Sequence, residues 1–297
     1  MTVRLSVIVP AFNAASDLPR LMAALAAQTY PAEDVILVDD ASTDATARLA
    51  ADAGIRVVSM PVNRGPAACR NAGVAAASGD VLVFTDADCR PEPDWLERLR
   101  AGLDAGRADA VMGRVFIEPS GVTGRAIAAL GFPAGGSIGF EKIWPVDDEG
   151  FTVSLSTCNC AVSRKALVAA GGFDTGFPYA GGEDSLLAYR LIGAGRRIRF
   201  CPEAVVWHAA REDLGEFIRW QFKRGISARI FSEKVARLRG YVSLRLWSTR
   251  NILQACVGQR LFPLVLMLFI ASAGLQVAGF ISAGFQQRIS NTGCSIR

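Results

Sequence analysis

The sequence predicts an α/β fold, a mostly parallel sheet flanked by helices, followed by a C-terminal helical segment of different character. Up to about residue 210, short β-branched runs alternate with Ala-rich stretches, separated by turn residues. Beyond that point the chain becomes basic, and residues 261–285 then run 25 positions without a charge.

Residues 5–9, 35–38, 56–59 and 81–85 read as strands, each β-branched and bounded by turn residues. Residues 18–28, 45–53 and 67–77 read as helices between them. Asp17 and the pair Thr43-Asp44 stand where N-caps belong, and Gly54 and Gly79 stand where helices stop. Strand–helix alternation at this spacing calls for parallel strands joined by crossover helices. Such sheets bind ligands at the carboxyl ends of their strands. Residues 113–157 hold Gly131, Pro133, Gly135, Gly136, Gly139 and Pro145 and read as an irregular, mobile stretch.

A chain of 297 residues that is 51% hydrophobic and 20% charged has a sizeable core and is neither disordered nor fibrous. Residues 1–210 carry 19 Lys+Arg against 24 Asp+Glu, whereas residues 211–260 carry 11 against 4. An acidic body with a basic collar points the collar, and only the collar, at an anionic partner. From residue 212 to 246, Leu214, Phe217, Ile218, Phe222, Ile230, Val235 and Leu238 recur at roughly helical spacing. That pattern suits helices lying in a membrane interface, and equally a helix packed on the body with its basic face in water. The 25-residue apolar run reaches about 37 Å as a helix, enough to cross a hydrocarbon core of about 30 Å. Basic residues on its N-terminal side place the body in the cytoplasm, on a single-pass protein of the inner membrane. Nucleic acid is not expected as a partner, because aromatic platforms are missing from the collar. The first strand is too short for a signal peptide. Seven cysteines at irregular spacing, with no Cys-x-x-Cys, read as reduced thiols rather than a zinc site.

Polar clusters follow the predicted strands. Pro10, Phe12 and Asn13 end the first, Asp39 and Asp40 end the second, and Asp86-Ala87-Asp88 ends the fourth. Glu183-Asp184 opens a helical run, and His208, the only histidine, follows a strand-like stretch. Carboxylates gathered at adjacent strand ends repel one another, so a cation or a catalytic task should compensate them. With 17 aspartates in the chain, about one Asp-x-Asp arises by chance, so its place at a strand end gives the pair its meaning. Hard oxygen ligands on such a turn suit Mg2+ or Mn2+ together with substrate phosphates.

The ordered set Ser6 to Asn13, Val38 to Asp44, Asn63-Arg64-Gly65, Arg70 to Gly73, Asp86 to Asp88, Gly171 to Asp174 and Gly182-Glu183-Asp184 resembles the family 2 glycosyltransferases. The resemblance covers roughly residues 4–230. It implies a GT-A fold at residues 1–210, with a nucleotide-binding half at about 1–112 and an acceptor half at about 113–210. Basic interfacial helices at 211–260, a transmembrane helix at 261–285 and a tail at 286–297 would follow. The implied reaction is inverting transfer of one sugar from a nucleotide-diphosphate sugar, a UDP-sugar foremost, to a hydroxyl of a lipid-linked or cell-envelope glycan acceptor. Carried over by position, Pro10, Phe12, Asn13, Asp39, Asp40, Arg70 and Asp86 resemble nucleotide-binding residues. Asp86, Asp88 and His208 resemble the metal site, and Asp184 the catalytic base with Glu183 beside it. Asn159 stands where a sugar or acceptor contact would be. Gln221 and Arg224 sit near a processive signature, but Gly225 replaces its tryptophan, which argues against polymer synthesis. A metal-dependent nucleotidyltransferase would need a Gly-rich basic loop that residues 10–16 lack. A non-catalytic nucleotide-sugar-binding module would have no need of all four carboxylates Asp40, Asp86, Asp88 and Asp184. No Gly-x-Gly-x-x-Gly follows the first strand, which disfavours a dinucleotide dehydrogenase.

Overall fold

Leu5–Ala11 (β1) is buried along almost its whole length, as a strand covered on both faces must be. It pairs in parallel with Asp34–Asp39 (β2) on one side and Val81–Thr85 (β4) on the other, and β2 pairs in parallel with Arg56–Ser59 (β3). The crossovers are Leu18–Ala26 (α1), Thr46–Asp52 (α2) and Pro66–Ala76 (α3). Ala45, not Thr43 or Asp44, is the N-cap of α2, although Asp44 accepts the Thr46 amide at 2.9 Å just before it; Asp17 holds the N-cap position of α1 without a side-chain bond. The computed structural model describes residues 3–106, 108–118, 121–132, 134–236 and 238–292. Pro133 and the end of the tail, 293–297, lie outside them.

The remaining strands are Cys89–Pro91 (β5), Ala110–Ile117 (β6), Phe151–Thr152 (β7), Asn159–Ser163 (β8) and Ile198–His208 (β9). Together they make one sheet in the order β3-β2-β1-β4-β8-β6-β9-β5, with β7 on β9. The second half is not parallel throughout: β8 runs antiparallel to both β4 and β6. Its pairing sets Asn159 opposite Thr85, so the start of β8 lies beside the end of β4. Trp95–Gly106 (α4), Arg164–Ala169 (α7) and Glu183–Gly193 (α8) pack against this half.

Residues 113–157, expected to be irregular, carry the end of β6, Val122–Ala128 (α5), Phe140–Ile143 (α6) and β7. Their glycines bend the chain, but Ile127, Leu130, Phe140 and Ile143 are buried and hold it in place. Apolar burial thus orders a segment that turn composition alone marks as loop.

Three helices follow: Leu214–Lys234 (α9), Leu238–Cys256 (α10) and Phe262–Thr292 (α11). Asp213 caps α9 by accepting the Glu216 amide at 2.7 Å. α9 and α11 cross at two glycines: a Cβ on Gly225 would overlap the Gln276 carbonyl, and one on Gly279 the Phe222 carbonyl. Small residues at a crossing let two helix backbones touch. Beside the crossing, Gln221, wholly buried, accepts hydrogen bonds from Ser272 and Gln276, each at 2.8 Å. Residues Phe262–Phe285 of α11 are long and apolar enough to cross a membrane. Met267, Ile270, Val277, Ile281 and Phe285 point away from the protein. The six described cysteines are free thiols.

Candidate active site

The turn after β4 carries Asp86 and Asp88, and the β5–β9 ladder fixes what Asp88 meets. Cys89 pairs with His208 across that ladder, and the Ala209 amide donates to the Asp88 carbonyl at 3.0 Å. His208 Nδ1 lies 2.8 Å from the Ala209 carbonyl, which leaves Nε2 as the ring nitrogen turned toward Asp88. Nε2 faces Asp88 Oδ1 at 3.5 Å. Burial, reinforced by the Asp86 charge, pushes the Asp88 carboxyl up, while His208 and Arg211 pull it down. Cys89 completes a group of three donors within 4.8 Å of one another, but burial holds its thiol well above the ordinary range and therefore protonated. One carboxylate oxygen and one imidazole nitrogen suit a small divalent cation whose other positions would go to phosphate or water.

Arg70, on α3, ties the site together. Its Nη2 donates to Asp86 Oδ1 and its Nη1 to Glu183 Oε1, each at 2.9 Å, and its plane lies over Phe173. Asn71 fixes Phe173 by accepting its amide at 3.0 Å and donating to its carbonyl at 2.8 Å. Gly181 and Gly182, with φ of 110° and 116°, turn the chain so that Glu183 and Asp184 open α8 facing Arg70. One guanidinium cannot neutralise three carboxylates. Burial first, then the Asp184 charge, push Glu183 up to about 7 against the pull of Arg70. Burial also raises Asp184, opposed by the Ser185 amide, Arg70 and Arg224. Asp184 Oδ1 accepts the Ser185 amide at 2.7 Å, Oδ2 has no hydrogen-bond partner among the described residues, and the residue is partly exposed.

At the ends of β1 and β2 the expected nucleotide residues brace one another. The Asn13 amide donates to Ser42 Oγ at 2.9 Å and its Oδ1 accepts the Thr43 amide at 2.8 Å. Asp39 Oδ1 accepts the Ser42 amide at 3.3 Å. Pro10 lies within β1, and the ring of Phe12, just beyond it, is half exposed. Asp40, expected to read a base, is buried, and its two oxygens accept the Arg64 and Gly65 amides at 2.8 Å each. Its observed work is to hold the loop before α3 against β2. Asn159, expected to touch a sugar or the acceptor, is wholly buried: it accepts Trp95 Nε1 and donates to the Arg114 and Ala204 carbonyls, each at 2.8 Å. Both of its amide protons are engaged inside the protein.

A cavity of about 190 Å³ is lined by Arg70, Asp86, Glu183, Asp184 and His208. The C-terminal helices line it as well: Trp220, Arg224, Ser227 and Phe231 of α9, Arg245 of α10 and Gln276 of α11. Sequence reading left open whether α9 packs on the body and did not assign Trp220, Ser227, Phe231, Arg245 or Gln276 to a site, because no local spacing joins three separate helices to a distant strand end.

The Glycosyl transferase family 2 pattern matches residues 6–167. The chain is 29% identical over 228 residues to glycosyltransferase AglE of Haloferax volcanii, spanning 74% of this chain and 71% of that protein. It is 34% identical over 218 residues to the pre-mycofactocin glycosyltransferase of Mycobacterium tuberculosis, spanning 72% of this chain and 44% of that one. Its fold is similar to the mannosyltransferase PcManGT of Pyrobaculum calidifontis, solved with GDP-Man and Mn2+: TM-score 0.64, 20% identity, 96% of this chain and 88% of that one. It is also similar to S. aureus TarS residues 1–349 solved with UDP: TM-score 0.55, 19% identity, 96% and 91% covered. At these identities the solved structures establish the GT-A fold alone. With the matched pattern spanning more than half of the chain, the protein belongs to glycosyl transferase family 2.

Proposed function

We propose that this glycosyltransferase moves one sugar, with inversion, from a nucleotide-diphosphate sugar to a hydroxyl of a lipid-linked or cell-envelope glycan acceptor at the cytoplasmic membrane face. One observation carries the reading: Asp184 and His208 line the same cavity, and His208 faces Asp88 across 3.5 Å. In this reading the acceptor oxygen bonds to the anomeric carbon as that carbon's bond to the diphosphate breaks. The electron pair leaves with the nucleoside diphosphate, and the hydroxyl proton passes to the Asp184 carboxylate. Asp88 and His208, with Asp86 beside them, would hold a divalent cation, Mg2+ or Mn2+, which would supply charge to offset that of the departing diphosphate. Arg70 fixes Asp86 and Glu183 so that the two ends of the site keep their separation. Phe12 and the braced ends of β1 and β2 receive the nucleotide, for which UDP is the first choice.

A panel of nucleotide sugars, incubated with purified full-length protein and Mn2+ and read by donor hydrolysis and thermal shift, tests this proposal. One donor class should stabilise the protein. Asp184→Asn should keep that shift and lose turnover by about 10²–10⁴-fold. No shift with any donor would remove the enzyme reading, and full turnover by Asp184→Asn would remove Asp184 as base.

A further inference from the structure

Length and hydropathy let α11 cross a bilayer, but its packing on α9 opposes a simple span. The two helices run side by side in the same direction. Phe217 shares an apolar cluster with Val265 and Leu268, Gln221 accepts from Ser272 and Gln276, and Arg229 lies 5.3 Å from the Phe280 ring centre. A span would therefore carry residues 217–229 of α9 into the hydrocarbon together with α11. That stretch holds Arg219, Lys223, Arg224 and Arg229 and no acidic residue, and Arg219 and Lys223 are exposed. Cations taken to that depth are strongly disfavoured. Gln276 stands about 21 Å along the helix from Phe262, just past the middle of the apolar stretch Phe262–Phe285. It lines the same cavity as Asp86, Glu183 and Asp184. A spanning α11 would set those carboxylates level with the bilayer core.

The side chains of α11 sort onto two opposite faces. Leu268, Ser272 and Ala283 are buried against the protein. Met267, Ile270, Val277, Ile281 and Phe285 are each more than half exposed, and they share roughly a quarter of the helix circumference. A helix that crosses alone meets lipid around its whole girth; a helix lying flat meets it along one stripe, which is what α11 offers. The charge beside the stripe selects its occupant. Residues 211–260 carry 11 basic residues against 4 acidic ones, and Arg260, just before α11, is exposed. A second copy on the stripe would bring two basic collars together, whereas anionic headgroups attract them.

We propose that α11 does not cross the membrane but lies in its plane, with the stripe from Met267 to Phe285 sunk into one leaflet. Both ends of the helix are then on the same side as the catalytic body. One face of α11 holds lipid while the other packs on α9 and reaches the cavity through Gln276. The inference rests on the membrane location proposed above and on no step of the transfer.

The test uses the full-length protein with Cys201→Ser and Cys294→Ser, which leaves only buried native thiols. A nitroxide is placed on one added cysteine at a time, Met267→Cys, Val277→Cys or Phe285→Cys, in vesicles of phosphatidylcholine and phosphatidylglycerol. Relaxation by oxygen against a water-soluble nickel chelate reads the depth of each label. All three should sit at one depth below the phosphates. A span would set Val277 about 12 Å deeper than Phe285, so a middle label deeper than both outer ones would overturn the proposal. A protease site appended after Arg297 reads sidedness in a bacterial host: in inverted membrane vesicles it should be cut together with the body. Protection of that site while the body is cut would equally rule the proposal out. Labels that broaden one another between copies and meet no lipid would give the stripe to a second copy, also against it. Failure to bind vesicles at all would remove the membrane location along with this inference, and would leave the donor reading untouched.

Discussion

The family resemblance marks Arg70 as a basic residue near the nucleotide, yet its partners come from segments 16 and 113 residues away, and no spacing rule joins them. Two of its five N–H donors go to Asp86 and Glu183, so it holds both carboxylates in place. Arg70→Met should cost about 3–5 kcal/mol, because it strands buried carboxylates. Urea unfolding that shows less than about 1 kcal/mol would mean that the pair behaves like a surface bridge. The raised Asp184 also sets the sign of the pH response. The base must be ionised, so the acidic limb of kcat/KM should lie above the ordinary carboxylate range. Arg224→Gln, by removing a cation that lowers Asp184, should move that limb to higher pH. Glu183 acts on stability instead. Its contribution is fully present below its ordinary value of 4.5 and is lost as pH rises through about 7. Glu183→Gln should flatten that fall in a series of melting temperatures against pH, and an unchanged slope would contradict the assignment. Asn159 shows where residue-level reading goes astray: a polar residue next to an acidic strand end looks available until the core closes over it.

Among the elements, the parallel half was legible almost to the residue because β-branched runs, caps and helix stops agree there. β8 was not, since strand direction is decided by long-range pairing with β4 and β6 rather than by local pattern. The site rests on one short turn. A Cβ on Gly182 would stand 2.7 Å from the Phe177 ring at a φ of 116°, so Gly182→Ala combines backbone strain with a clash. It should cost about 1–3 kcal/mol in thermal unfolding, and it should lower turnover more than nucleotide affinity, because it displaces Glu183 and Asp184. Equal loss of both would place the turn in donor binding. For α9 the sequence left two partners open, a membrane interface or the body of the protein. The structure packs it against α11, with Phe217 buried and the basic residues Arg219 and Lys223 on the outside.

Across the whole molecule, the C-terminal helices do two jobs that the sequence suggested were one. α9 closes the site and packs on α11, and α11 keeps an outer face of large apolar side chains. Replacing Ile270 and Val277 together by lysine should leave the circular dichroism spectrum unchanged, since both point outward. It should release the protein from membranes on carbonate washing, because a charge among acyl chains costs up to about 2.5–3.5 kcal/mol. Retention of the double variant would show that α11 does not enter lipid. The account as a whole depends on the gathering of remote strand ends around one cation. Electron paramagnetic resonance titration of Mn2+ into the full-length protein with saturating nucleotide measures this directly. One tight Mn2+ should bind, weakened at least tenfold by Asp88→Asn and by His208→Ala but not by Asp184→Asn; affinity unchanged in the first two variants would contradict the account.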